Sequence, residues 1–250
     1  MDAATAHATN RSDHRAEPAI RDIPSHLCFW IIGCAALVLD LWSKDWVFSK
    51  LKPSEIRTVI PGIIDFTYSL NAGAVFGSFT GHTEVFILAS LFALGFVFYL
   101  FAHSGRRQRS LHVALAMILA GALGNLYDRA FIITDVVSYT AASGKQHEVI
   151  GTVVSDPQDP IVRIGEYPDG ANPQSFARSD VDVREQGVVR DFIKFVPKFP
   201  AWVPRLAGRE IWPWVFNVAD AALVCGVVLL LLHTWLDRKP HGRRRTRHGG

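Results

Sequence analysis

Ionisable residues set inside long apolar runs constrain this chain more than any other feature of it. Residues 85–102, VFILASLFALGFVFYLFA, hold 18 positions without a charge, the minimum for a helix crossing about 30 Å of hydrocarbon. Residues 111–127 lack Asp, Glu, Lys and Arg, and Ala116, Ala120 and Gly124 recur there at every fourth position. That spacing lets another helix approach closely. Residues 27–48 contain Asp40, Lys44 and Asp45, and residues 215–236 contain Asp220. A charge within a span costs on the order of 3 kcal/mol on insertion scales, so each one calls for a partner or a watery cavity. With 49% hydrophobic and 20% charged residues, the composition excludes a disordered chain and points to a membrane protein.

Lys and Arg beside a span are retained on the cytoplasmic side. Arg11, Arg15 and Arg21 precede the first run, Arg106, Arg107 and Arg109 join the second to the third, and RKPHGRRRTRH follows the last. The expected fold is an α-helical membrane protein with four transmembrane helices and both termini in the cytoplasm. Residues 1–26 form one tail, residues 237–250 a basic second tail, and the segments 51–83 and 128–213 face outward. This topology puts 12 basic and 5 acidic residues inside, against 14 and 18 outside. A long polar start argues against a cleaved signal peptide, and IIGC, ending at Cys34, has too short an apolar lead for a lipidation box. The net charge of +3, clustered at the ends and in one loop, argues against a nucleic-acid partner. The basic tail instead suits anionic membrane lipids. Cys28, Cys34 and Cys225 lie in apolar runs and read as small hydrophobes, not as a disulfide framework or a metal site.

Within the outward segment, FIITDVVSYT, HEVIGTVVSD and PIVRIGEY are short, β-branched stretches separated by Gly, Pro and Asp. They predict a small extracytoplasmic β-rich region, with residues 165–182 as a polar loop.

The ionisable groups of the spans share a depth. Asp40 follows Leu27 by 13 residues, roughly 20 Å along a helix, which sets it in the outer half. Asp220 enters from the outside six residues after Trp214, and Asn125 and Asp128 close the third run on that side. Asp40 and Lys44 are i and i+4 with the acid first, the favourable ion-pair order, and suit a structural pair locking helices together. Asp128 with Arg129 suits a pair at a helix end. Asn217 and Asp220 are i and i+3 on one face. Asp220 has no basic neighbour in its own run, and an unpaired acid in a span is a functional candidate. Two carboxylates sharing a site cannot both ionise cheaply, so one keeps a proton and an acid and a base coexist near neutrality. Asp191, in QGVVRDFIKF, and Asp135, in ITDVVSY, compete to be the second carboxylate.

These segments resemble the lipoprotein signal peptidase family, the type II signal peptidases of bacteria. LDLWSKDWV is similar to the family's D-x-x-[ST]-K, FTYSLNAGAVFG to N-x-G-A-x-F-G, and LAGALGNLYDR to a segment ending G-N-x-x-D-R. GVVRDFIKF is similar to V-x-D-F, and WVFNVADAAL to F-N-x-A-D. The resemblance implies an intramembrane aspartic endopeptidase of the bacterial cytoplasmic (inner) membrane. Such an enzyme removes signal peptides from prolipoproteins just before a diacylglyceryl-modified cysteine, works as a monomer among membrane lipids, and needs no metal or organic cofactor. By matching positions it implies Asp191 and Asp220 as the catalytic pair, at the outer face. It implies Asp40, Lys44, Asn71, Gly121, Asn125, Asp128, Arg129, Asn217 and Ala219 as supporting or substrate-binding residues.

Two departures stand out. Arg129 and Asp191 are 62 residues apart where the family has about eight, so an insertion of about fifty residues, near 130–186, enlarges the outward region. Within the V-x-D-F segment, Arg190 and Lys194 replace residues that are usually apolar and acidic, and basic neighbours are expected to favour the ionised form of Asp191. Outside this family, a transporter with carboxylates along its path would spread them through the bilayer, whereas here they gather at one level.

Overall fold

The structure, a computed structural model, describes residues 18–73, 83–141 and 143–237. The two tails beyond these limits, and residues 74–77 of the N-x-G-A-x-F-G stretch, lie outside the described residues. Among the described residues are the α-helices α1 Ile23–Lys50, α2 Thr83–His103, α3 Arg109–Phe131 and α4 Val218–Asp237. Among the described residues α1, α3 and α4 are long and apolar enough to cross a membrane, and the apolar part of α2, Ile87–His103, is shorter.

Local chemistry sets the helix ends. Asp22 caps α1 by accepting the Ser25 N–H at 3.0 Å, and Pro24 occupies the first turn, where a missing N–H costs nothing. At the other end the Leu51 N–H closes on the Val47 carbonyl at 2.8 Å. Small residues make α3 the central helix, in contact with α1, α2 and α4. Gly33 of α1 faces the Ala116 backbone, and Gly226 of α4 faces Ala114 and Ile118. A Cβ on Gly121 would strike the Ala219 carbonyl and Leu223, and one on Gly124 would strike the Asp40 carboxylate. These glycines set how closely α1 and α4 approach α3. Large apolar side chains such as Val38, Trp42, Phe92 and Leu231 point outward and are exposed, as lipid-facing residues must be.

Two sheets cap this helical body. β1 Ile56–Ile60, β2 Ile64–Asn71, β8 Val189–Phe195 and β9 Val215–Phe216 form an antiparallel sheet in the order β1-β2-β8-β9. The second sheet comprises β3 Ile133–Thr140, β4 Gln146–Val153, β5 Ile161–Glu166, β6 Ala171–Ala177 and β7 Val181–Gly187, in the order β6-β5-β4-β3-β7. Its apolar face packs Val137, Val162 and Ile164 against Val149, Phe176 and Val183.

Three sequence expectations change. Residues 165–182 are not a loop: they hold β6, an exposed edge strand whose polar residues carry no period-two signal, and a 3-10 turn at Arg178–Asp180. The last helix starts at Val218, since residues 215–216 pair with β8. The third helix runs four residues beyond 127, so Asp128 and Arg129 sit on it.

Candidate active site

The site forms where β8 meets the C-terminal end of α3 and the N-terminal end of α4. Because successive residues of a strand face opposite ways, Arg190 and Asp191 part company on β8. Asp191 turns to a cavity of about 450 Å³ that Asp220 also lines, with Asn71, Trp212, Trp214 and Phe216. Its carboxylate accepts the Asn217 Nδ2–H at 2.7 Å and the Asn71 Nδ2–H at 3.1 Å. Asn71, ending β2, is itself held by the Gly73 N–H on its Oδ1 at 2.9 Å.

Asp220 lies in the first turn of α4. Asn217 precedes the helix as its N-cap: its Oδ1 accepts the Asp220 N–H at 2.9 Å, while the Asp220 Oδ2 accepts the Asn217 N–H at 3.2 Å. This reciprocal pair is a capping box. It replaces the expected stripe on one helix face, since Asn217 stands before the helix. The other Asp220 oxygen accepts the Asn125 Nδ2–H at 2.7 Å. Asn125 in turn offers its Oδ1 to Asn217 Nδ2 at 3.0 Å and to Lys44 Nζ at 3.2 Å. Asn217 thus bridges the two acids, and its Nδ2–H also reaches the Arg190 carbonyl at 3.4 Å.

Behind the asparagines runs a buried ion network. Lys44 Nζ lies 2.8 Å from Asp40 and 3.4 Å from Asp128. Asp40 Oδ1 accepts the Ala219 N–H at 2.8 Å, satisfying a free donor of the α4 first turn. Asp40, Lys44 and Asp128 have 0–1% of their side chains exposed, so the charges must neutralise one another. Asp128 reaches a partner that its own helix does not supply. It binds the Arg190 guanidinium at 2.9 Å, and Arg190 continues to Asp45 on α1. Among charged neighbours, Asp191 and then Asp220 act most strongly on the Arg129 guanidinium.

The concern over basic neighbours is therefore corrected. Arg190 is spent on Asp128 and Asp45, and Lys194 is tied to Glu210 at 2.6 Å. Burial, and then the charge of Asp220, push the Asp191 carboxyl up to about 7. Asp135, the competing donor, belongs to the other sheet, where its carboxylate accepts the Val153 N–H at 2.7 Å. Gly121 and Ala219 serve by packing and by a backbone bond. Sequence reasoning missed Asp45, Trp212, Trp214 and Glu148. A charge whose partner lies on a distant strand, as Asp45 with Arg190 and Glu148 with Arg184, or a tryptophan in an irregular segment, gives no local signal of where it will lie.

A bundle of apolar helices carrying two adjoining carboxylates under a β-rich cap defines a polytopic membrane protein with a polar site beneath its surface. The family model described as signal peptidase (SPase) II matches residues 32–236, and the chain belongs to that family. The lipoprotein signal peptidase of Latilactobacillus sakei is 36% identical over 103 residues, 41% of this chain and 68% of that protein. The lipoprotein signal peptidase of Syntrophomonas wolfei is 29% identical over 217 residues, 86% of this chain and 97% of its own. A solved bacterial membrane enzyme shares the fold at a TM-score of 0.55 and 19% identity, over 87% of this chain and 93% of that one.

Proposed function

We propose that this chain is an aspartic endopeptidase that removes the signal peptide from prolipoproteins, cutting before a diacylglyceryl-modified cysteine, with Asp191 and Asp220 as the catalytic pair. The observation that carries this reading is the cavity that Asp191 and Asp220 line together, with Asn217 hydrogen-bonded to both. Two such groups hold one proton between them near neutrality. The ionised carboxylate takes a proton from water as its oxygen bonds to the scissile carbonyl carbon, and the protonated one gives its proton to the carbonyl oxygen. When the C–N bond breaks, the first carboxyl returns its proton to the leaving amine. The second regains one from the collapsing diol, so the pair ends as it began. Asn71 and Asn217 hold Asp191, Asn125 and Asn217 hold Asp220, and Arg129 supplies positive charge to both.

In this reading the peptidase unit spans residues 27–236, with four membrane crossings, an outward insertion near 130–186 and both termini in the cytoplasm of a bacterial cell. The pair then lies at the outer face of the inner membrane, level with the anchored lipid of the substrate. The protein acts as a monomer among membrane lipids. The test is cleavage of a diacylglyceryl-modified precursor beside its unmodified form. Asp191→Asn and Asp220→Asn should each abolish cutting while the chain still inserts, and full turnover by either excludes the pair.

A further inference from the structure

Glu148 and Ile150 stand two apart on β4 and so share a face, and both line the cavity that holds Asp191 and Asp220. Glu148 also borders a second hollow of about 390 Å³ on the same sheet, together with Ser138, Asp180, Asp182 and Arg184. The two hollows meet at this one side chain. Strand pairing explains the alignment: Ser138 lies opposite both Glu148 and Asp182, and Val136 opposite Ile150. The face therefore runs from apolar beside the catalytic cavity to polar farther out.

This wall is fixed to the site. Val136 packs against Ala72 and Val188, with Leu70 and Ile150 alongside. Gln186 donates to the Ala72 carbonyl, and the Tyr68 hydroxyl donates to the Tyr167 carbonyl at 2.9 Å. Glu148 is set in place by Arg184 at 2.5 Å and by the Ser138 hydroxyl at 3.3 Å, both on Oε1. Acids outnumber cations along the path. The inner cavity is lined by Glu148, Asp191 and Asp220, with no Lys or Arg among its described lining residues. The outer hollow sets Glu148, Asp180 and Asp182 against the single cation of Arg184.

We propose that Glu148 is a specificity-determining residue: it makes the sheet-side wall of the substrate cleft and, with Asp182, selects cationic side chains in the polypeptide that follows the lipidated cysteine. The proposal rests on the peptidase reading above. The signal-peptide side of the scissile bond belongs with the apolar helices. The mature side leaves them, and the sheet stands where it emerges.

The experiment uses the full chain in lipid nanodiscs and three diacylglyceryl-modified precursors differing only in the two residues after the cysteine: Lys-Lys, Ser-Ser or Glu-Glu. The expected kcat/KM falls in that order, with Lys-Lys over Glu-Glu by up to about fivefold, the scale of a partly exposed ion pair. The preference should shrink at high salt. Glu148→Gln should bring the ratio toward one, and Glu148→Lys should reverse it. Equal rates on all three precursors by the unaltered chain overturn the proposal while leaving the peptidase reading intact. Failure to cut any of them overturns both. A Glu148 variant that slows all three alike, with the ratio kept, assigns the residue a structural role and also overturns it. Should these variants fail to fold, Asp182→Lys replaces them, since that side chain is 78% exposed, and a ratio unmoved by it counts against the proposal.

Discussion

Asp128 accepts hydrogen bonds from both the backbone N–H and the guanidinium of Arg190, the shortest of each kind at 2.9 Å, with Nε of the guanidinium adding a longer one at 3.3 Å. The pair joins α3 to β8 one residue before Asp191, and it takes both the position of the strand and the direction of its side chain into account. Removing one member of a buried pair leaves an uncompensated charge, at a cost of about 3–5 kcal/mol. Lys44 remains 3.4 Å from Asp128, so Arg190→Met should fall at the lower end, about 3 kcal/mol. Arg190→Lys should recover part of the stability but less of the activity, because an ammonium cannot make the forked contact. Thermal unfolding in detergent and precursor cleavage, measured together, check both statements.

Asn217 combines a cap with a hydrogen bond to the Asp191 carboxylate. Asn217→Ala should cost about 1 kcal/mol as a lost N-cap and sharply lower cleavage. Asn217→Asp keeps an N-cap oxygen but turns an acceptor toward Asp191. It should therefore unfold later than the alanine variant and cleave no better. A variant that kept both the cap and full activity would show that the bond to Asp191 is dispensable.

The raised Asp191 carboxyl has a definite sign in stability. Between its ordinary value of 3.8 and about 7, the folded chain holds a proton that the unfolded chain has released, so stability falls as pH rises through that window. Asp191→Asn removes the dependence. Its unfolding temperature relative to the unaltered protein should rise from about pH 4 to about pH 8, and a difference that stays constant over that range contradicts the assignment. Cleavage by the unaltered protein should decline as pH rises through about 7, where Asp191 loses its proton.

Gly121→Ala places a methyl group against the Ala219 backbone and Leu223. Overpacking of this kind costs about 1–3 kcal/mol. Because Ala219 precedes Asp220 directly, cleavage should fall further than the stability loss alone requires. Activity measured well below the unfolding temperature separates the two effects.

The helices were legible in the sequence because apolar length is a local property, and so was the Asp40–Lys44 pair, whose i,i+4 spacing is set within one helix. The segments flanking the acids were also legible, since QGVVRDFIKF carries the period and branching of a strand. What could not be read was which side of that strand each charge would face relative to α3. Spacing made Arg190 a threat to Asp191. Pleating turns Arg190 to Asp128 instead, yet it acts only once the strand is laid across the helices. The β1–β2 hairpin in the 51–83 segment and the edge strand β6 went unread for a related reason: β1 and β6 are exposed along most of their length, so no buried face imposes a pattern on them.

The Val188 N–H meets the Ile132 carbonyl at 2.9 Å, and Ile133 pairs with Gly187. The chain therefore departs from the end of α3 and comes back to the same spot after making the whole five-stranded sheet. Whatever length is spent on that excursion, β8 begins from one address and Asp191 arrives in one place. Changes of length within that sheet are thus decoupled from the alignment of the carboxylates.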